Sequence, residues 1–456
     1  MEELIMKWYE KANFYQMYPI GMCGVPKYNN YGETTYRLQE LEGWTDHLKS
    51  IGMNAVYIGP LFESDSHGYD TTDYKLIDRR LGDNQSFINM VHKYHEAGIK
   101  VVVDGVFNHT GRNFFAFKDI QQNGSHSRYK DWYRGINFNS KSPYNDNFSY
   151  EGWNGCYELV KLNLQNHEVK NYLLDVIQYW VDTFNIDGIR LDCADVLDFE
   201  FMKQMRTLSN QISDDFWLMG EVIHGDYVQW ANDSMLHSVT NYEMHKGLYS
   251  SHNDYNYFEI AHSAKRQFNT VDGVYKNCCL YNFVDNHDVD RLASKLINQN
   301  HIYNVHTLLY TLPGIPSIYY GSEWGITGKK EGPNDDFLRP TVNINNVRME
   351  NPELMRYIRA LSDVRNLHKA LVSGNYQELF VANKQYAYTR FTCDNTVIVA
   401  LNADNSPQLI NIPLQTLNKS FSNLKHIFGQ GSNWSINYNQ LQVTIPACQS
   451  IIFELN

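Results

Sequence analysis

The pattern of apolar runs predicts a closed (β/α)8 barrel, the TIM-barrel architecture, with a small domain inserted after the third strand and an all-β domain at the carboxy terminus. Two observations lead there. Eight short apolar runs alternate with longer amphipathic segments, the pattern of parallel strands joined by helices, and eight such units suit a closed barrel better than an open sheet. That rhythm then breaks in two places, once inside the chain and once near its end.

The predicted strands are Phe14–Tyr18, Ala55–Ile58, Lys100–Asp104, Gly188–Asp192, Phe216–Gly220, Ser238–Tyr242, Leu280–Val284 and Ser317–Tyr320. Helical spacing falls over Tyr36–Ile51, Ser86–Ala97, His167–Phe184 and Phe199–Ile212. Between Thr110 and Gln165 the chain is rich in Asn, Gly, Ser, Tyr and Trp and has little helical period. A connection of that length inside a compact domain is usually functional, so 110–165 is read as an inserted domain. The barrel then occupies 1–109 and 166–369. From 370 to 456 the pattern turns to alternating strand-like runs such as Tyr386–Phe391, Thr396–Leu401 and Ile451–Glu454, read as a β-sandwich.

Bulk properties narrow the function. At 456 residues the chain is long enough for a barrel and one or two smaller units. Its 39 basic and 51 acidic residues give a formal charge of −12, poorly suited to phosphate backbones or anionic membranes. The expected partner is a small neutral ligand, with no nucleic acid and no membrane; oligomeric state is left open. Aromatic residues make up 14% of the chain, which suits a sugar-stacking site as well as an aromatic core. No leader-like start or membrane-length apolar run is present, and the seven cysteines show neither a disulfide framework nor zinc spacing. The expectation is a cytoplasmic protein with reduced thiols.

In a barrel of this kind, chemistry sits where strands end and βα loops begin. Four strand ends carry ionisable residues: Asp104-Gly-Val-Phe-Asn108-His109, Gly188-Ile-Arg190-Leu-Asp192, Met219-Gly-Glu221 and Val284-Asp-Asn-His287-Asp288. An isolated Asp after a strand is commonly a helix cap. Carboxylates from three strand ends converge on one mouth, however, where mutual repulsion makes them costly unless function needs them. Cleaving a glycosidic bond needs two carboxyls in different protonation states. Arg190 lies two residues before Asp192, so both point to one face of the strand, and the guanidinium would favour an ionised nucleophile. Glu221 has no basic neighbour in sequence and is the candidate acid.

The segments DGVFNH, GIRLD, GEV and DNHD resemble, in order and on the expected strands, the four signature regions of glycoside hydrolase family 13, the α-amylase family. Ser66–Tyr74 and Tyr320-Gly-Ser-Glu323 resemble its segments after the second and eighth strands. The resemblance implies Asp192 as nucleophile, Glu221 as proton donor and Asp288 as the carboxylate that grips ring hydroxyls. It implies Arg190, His109 and His287 as hydrogen-bonding partners of the sugar at the −1 subsite, Tyr69 stacked beneath that ring and His67 nearby. Asp335 and Arg339 resemble the pair that holds the next sugar toward the non-reducing end, while Asp104 and Asn108 are read as bracing the site.

Departures carry information too. Asp195 and Val196 stand where the classical α-amylases have Lys and His, which departs from the usual leaving-side contacts and weakens the case for the usual calcium site. No cofactor is required on this reading, and calcium is not expected. Leu159-Val-Lys161-Leu-Asn163 resembles the MPKLN segment of neopullulanases and cyclomaltodextrinases, although Cys193, after the nucleophile, does not match. The chain reaches its first strand by about residue 14, without the extra amino-terminal domain of many such enzymes. The expected activity is retaining hydrolysis of α-1,4 bonds in short linear or cyclic maltodextrins. A transglycosylase of the same family and an inactive sugar-binding scaffold stay open as alternatives.

Overall fold

Each barrel strand is a short run of four to six mostly buried residues, with two shorter exceptions. The computed structural model describes residues 6–332, 334–345, 351–417, 423–430, 433–437 and 439–455. Its barrel strands are β1 (Phe14–Met17), β2 (Ala55–Ile58), β3 (Lys100–Gly105), β4 (Gly188–Leu191), β5 (Trp217–Gly220), β6 (Ser238–Val239), β7 (Tyr281–Phe283) and β8 (Ile315–Tyr319). All neighbours pair in parallel, from β1 with β2 round to β5 with β6, and from β1 through β8 to β7. A parallel bridge between Thr240 and Tyr281 closes the ring. The predicted barrel is therefore present.

Strand periodicity sorts the core into two layers. Alternate residues Phe14, Ala55, Tyr57, Val102, Trp217, Met219, Tyr281, Phe283 and Ile315 fill the barrel interior. Their neighbours in sequence, such as Val56, Val101, Val103, Ile189, Leu191 and Leu218, pack outward against the helices. Because side chains alternate across a strand, the inward row of β3 runs Val102 to Asp104, that of β5 runs Trp217 to Met219 to Glu221, and Arg190 and Asp192 share the inward row of β4. Apolar below and ionisable at the carboxyl ends, these rows place the charged groups at one mouth.

The helices follow their caps. Asp83, Asn166 and Asp198 accept hydrogen bonds from backbone N–H groups at the starts of Asn84–Glu96, His167–Phe184 and Phe199–Ile212. Asn185, in the left-handed conformation at φ 55°, ends the second of these. Two predictions need correction. The helix expected over Tyr36–Ile51 is two short ones, Leu38–Glu42 and Thr45–Ser50. They break where the Thr45 hydroxyl donates to the Glu42 carbonyl (2.7 Å) beside Gly43. Strand β6 stops at Val239 rather than Tyr242, because the Asn241 side chain accepts from Met244 N and starts the helix Tyr242–Asn253.

Within the segment after β3, His109–Gly111 pairs antiparallel with Cys156–Lys161, which also pairs with Gly152–Trp153. Arg112 grips Asp146 through both terminal nitrogens at 2.9 Å and lies over the Tyr144 ring. At the carboxy terminus, strands β9 (Asn375–Val381), β10 (Gln385–Phe391), β11 (Thr396–Asn402), β12 (Gln408–Pro413), β13 (Leu424–Phe428), β14 (Trp434–Asn437), β15 (Gln440–Ile445) and β16 (Gln449–Leu455) form two antiparallel sheets, ordered β9-β10-β11-β16-β13 and β12-β15-β14. Ala387, Ile398 and Ala400 face a core shared by those sheets, whereas Tyr388, Val397 and Val399 join the core of the barrel. Among the described residues no helix is long and apolar enough to cross a membrane.

Candidate active site

Asp104, Arg190, Asp192 and Glu221 come from three adjacent strand ends and are all buried. Arg190 is their hub. Its Nη1 donates to Asp104 Oδ1 (2.9 Å) and Oδ2 (3.1 Å) and to Asp192 Oδ1 (3.1 Å), and its Nη2 lies 2.8 Å from Glu221 Oε2. Glu221 has no basic neighbour in sequence, but Arg190 reaches it through space from the adjacent strand. Glu221 is nevertheless pushed up to about 7. Burial is the largest cause, opposed by the Arg190 charge and reinforced by Asp192 and Asp288. Carboxyl oxygens of Asp192 and Glu221 lie within 4.8 Å of each other.

Asp288 faces this pair from the end of β7. It is the most exposed of the three carboxylates, with 36% of its side chain accessible. Burial raises its carboxyl, but His287 and Arg339 outweigh that and hold it well below the usual carboxylate range. His287 Nε2 lies 3.0 Å from Asp288 Oδ2, and Arg339 Nη2 donates to Asp288 Oδ1 at 2.9 Å. The rings of Tyr18 and Tyr69 lie nearly parallel to that of His287, each with its centroid 5.6 Å away. Tyr69 OH also hydrogen-bonds His287 Nε2 and donates to Asp104 Oδ2 (3.3 Å), so the ring spans the site from β3 to β7.

The remaining predicted residues lie around this centre. His109 is buried, lowered to about 3 by that burial, and its Nε2 has no hydrogen-bond partner. A neutral imidazole nitrogen of this kind keeps one hydrogen-bonding capacity that no protein group fills. His67 is part exposed, with its Nδ1 accepting from Tyr69 N at 3.2 Å. Arg339 Nη2 is 3.2 Å from Asp335 Oδ2, so the two residues four apart do meet, and Arg339 links them to Asp288. Asp104 and Asn108 act as braces: Tyr57 OH donates to Asp104 Oδ2 at 2.8 Å, and Asn108 Nδ2 is 3.1 Å from His109 Nδ1.

Residues 37–366 match the family model described as "Alpha amylase, catalytic domain". The chain belongs to the α-amylase family. It is similar to a cyclomaltodextrinase of Thermoanaerobacter pseudethanolicus, 32% identical over 387 residues that make up 82% of this chain and 64% of the relative. A cyclomaltodextrinase of Geobacillus thermopakistaniensis is 30% identical over 432 residues, 91% of this chain and 70% of the relative. The chain thus spans about two thirds of the length of these relatives. Among solved structures it resembles an acarbose-soaked debranching enzyme of Nostoc punctiforme, with a TM-score of 0.80, 28% identity and 98% of each chain covered.

Some of the site escapes the family's signature regions. Tyr242 OH donates to Glu221 Oε1 and accepts from Asn286 Nδ2, both at 3.2 Å. Gln16, at the inward end of β1, is 2.8 Å from His287 Nδ1. Cys193 bridges the two central carboxyls: its backbone N–H donates to Glu221 Oε2 (3.2 Å) and its thiol to Asp192 Oδ2 (2.9 Å). Strand parity brings Gln16 within reach of sequence reasoning and Cys193 adjoins Asp192 in the chain, whereas nothing local marks Tyr242. On the leaving side, burial and the Asp192 charge push the Asp195 carboxyl up.

Proposed function

We propose that this chain is a retaining glycoside hydrolase that cleaves α-1,4-glucosidic bonds in short linear or cyclic maltodextrins. The observation that carries the reading is the approach of Asp192 and Glu221 carboxyl oxygens to within 4.8 Å, together with a Glu221 carboxyl raised to about 7. Retaining enzymes hold their carboxyl groups roughly 5–5.5 Å apart, while inverting enzymes leave room for a water at roughly 6.5–9.5 Å.

On this reading Asp192 attacks the anomeric carbon while Glu221, protonated, gives its proton to the departing glycosidic oxygen. The covalent sugar–Asp192 ester and a free leaving sugar result. Glu221, now a carboxylate, takes a proton from water, whose oxygen displaces Asp192 and returns the original anomer. Arg190 keeps Asp192 Oδ1 fixed during both steps. Asp288, His287 and His109 receive the hydroxyls of the sugar at −1, Tyr69 lies beneath its ring with His67 alongside, and Asp335 and Arg339 hold the next sugar. No step uses a metal, and with Val196 in place of the usual His we expect no calcium between the barrel and the inserted segment.

The preference for small substrates draws support from relatives named cyclomaltodextrinase and from Asp195, which offers an acceptor where a donor stands in classical α-amylases. Each hydrogen bond lost to a long chain on that side is worth about 1 kcal/mol. Free thiols at all seven cysteines suit a cytoplasmic setting. Matched kinetics on maltohexaose, β-cyclodextrin and soluble starch test the reading, with proton NMR on the fresh product. It requires the α-anomer first, higher kcat/KM per cleavable bond on the small substrates, and maltose or glucose as the dominant end product. Initial β-anomer refutes retention, and starch as the best substrate refutes the size preference.

A further inference from the structure

Two donors fill one oxygen of Glu221, and a third is aimed at the other. Oε2 accepts from Cys193 N at 3.2 Å and lies 2.8 Å from Arg190 Nη2, so a proton on this carboxyl belongs on Oε1. Oε1 meets the Tyr242 hydroxyl at 3.2 Å. The direction of that bond is set from behind. Asn286 Oδ1 accepts from the backbone N–H groups of Asp288 (2.8 Å) and Val289 (3.2 Å). Its amide nitrogen therefore faces Tyr242 and donates to the phenol oxygen at 3.2 Å. Having accepted there, the phenol turns its own proton toward Glu221. Burial, reinforced by the Glu221 and Asp288 charges, pushes the Tyr242 hydroxyl well above its ordinary range, so it stays a donor at neutral pH.

We propose that Tyr242, oriented by Asn286, is a positioning residue that makes Oε1 the acid oxygen of Glu221 and holds it more tightly as the proton leaves. The inference rests on the proposed function. In the first step the Oε1–H bond breaks as its proton passes to the glycosidic oxygen, whose bond to the anomeric carbon breaks as Asp192 attaches. Oε1 is then anionic, and its bond from Tyr242 becomes charge-assisted, about twice as strong as a neutral one. A contact that tightens during proton transfer speeds the step rather than improving binding. The charged and titratable groups facing Glu221 are Arg190 and Asp192 at the end of β4, Cys193 beyond them, Tyr57 on β2, and His287 and Asp288 after β7. Tyr242→Phe removes none of them and keeps the ring that packs on Phe283 and His245.

The test compares kcat/KM, which reads the chain of steps up to the first irreversible one, for maltohexaose and α-maltosyl fluoride in the wild type and Tyr242→Phe. Fluoride departs without a general acid. Tyr242→Phe should therefore lose at least about tenfold on maltohexaose and less than about twofold on the fluoride. Removing a donor to the ionised carboxyl also moves the alkaline limb on maltohexaose to higher pH. In place of Tyr242, 3-fluorotyrosine, a more acidic donor of nearly the same size, should move that limb to lower pH. Equal losses on both substrates, or limbs that stay where they are, overturn the role. If Tyr242→Phe does not fold, the limb of the 3-fluorotyrosine protein decides alone. A wild type inactive on both substrates refutes the proposed function and this inference with it. An active wild type with no selective loss in the variant refutes the inference alone.

Discussion

Replacing Glu221 by Gln should stabilise the protein at alkaline pH, although it removes the group assigned as proton donor. Burial raises this carboxyl from its ordinary 4.5 to about 7. Below 4.5 it is neutral in the folded and unfolded states alike and contributes nothing. Between 4.5 and 7 the unfolded chain ionises first, so the folded state loses relative stability, and above 7 the full penalty is present. At about 1.4 kcal/mol for each tenfold change in proton affinity, that penalty is roughly 3 kcal/mol. Gln cannot reproduce every contact, since Oε2 accepts from both Arg190 Nη2 and Cys193 N. That loss affects the variant at every pH. The decisive quantity is therefore a difference of differences: urea unfolding of both proteins at pH 5 and pH 8, with the variant gaining about 2–3 kcal/mol on the wild type between them. A gap unchanged with pH would refute a raised Glu221 and, with it, the assignment of the acid.

The same proton sets the alkaline limb of kcat/KM, which should fall as pH rises through about 7; a profile flat to pH 9 contradicts it. Asp192→Asn should lower kcat by about 10⁴-fold or more with its circular dichroism unchanged, and retention of a tenth of the activity would sink that role. Chelation should leave activity and melting temperature intact, because no calcium is expected with Val196 in place of the usual His; a large fall on adding EDTA would reveal a structural ion.

The fold was legible because its signals are local. Val101–Val103 is β-branched and bounded by turn-forming residues, and Asp83, Asn166 and Asp198 announce their helices. Arg190 and Asp192 could be put on one face from spacing alone. What stayed hidden depends on contacts across the barrel. That Arg190 serves Asp104 and Glu221 as well as Asp192 follows from which strands are neighbours, not from any spacing along the chain. Tyr242 reached Glu221 only because Asn241 ended β6 early and swung the tyrosine onto a helix start. The break near Gly43 likewise turned on one hydroxyl, that of Thr45, competing for a helical carbonyl.

Asp192 is the proposed nucleophile, whose carboxylate oxygen would carry the covalent glycosyl intermediate. Incubation with a 5-fluoro-α-glucosyl fluoride, which slows the second step, followed by proteolysis and mass spectrometry, reads that bond directly. A sugar adduct on the peptide carrying Asp192, appearing as activity is lost and released on adding an acceptor sugar, is the predicted result. An adduct on Glu221 or Asp288 instead would contradict the assignment.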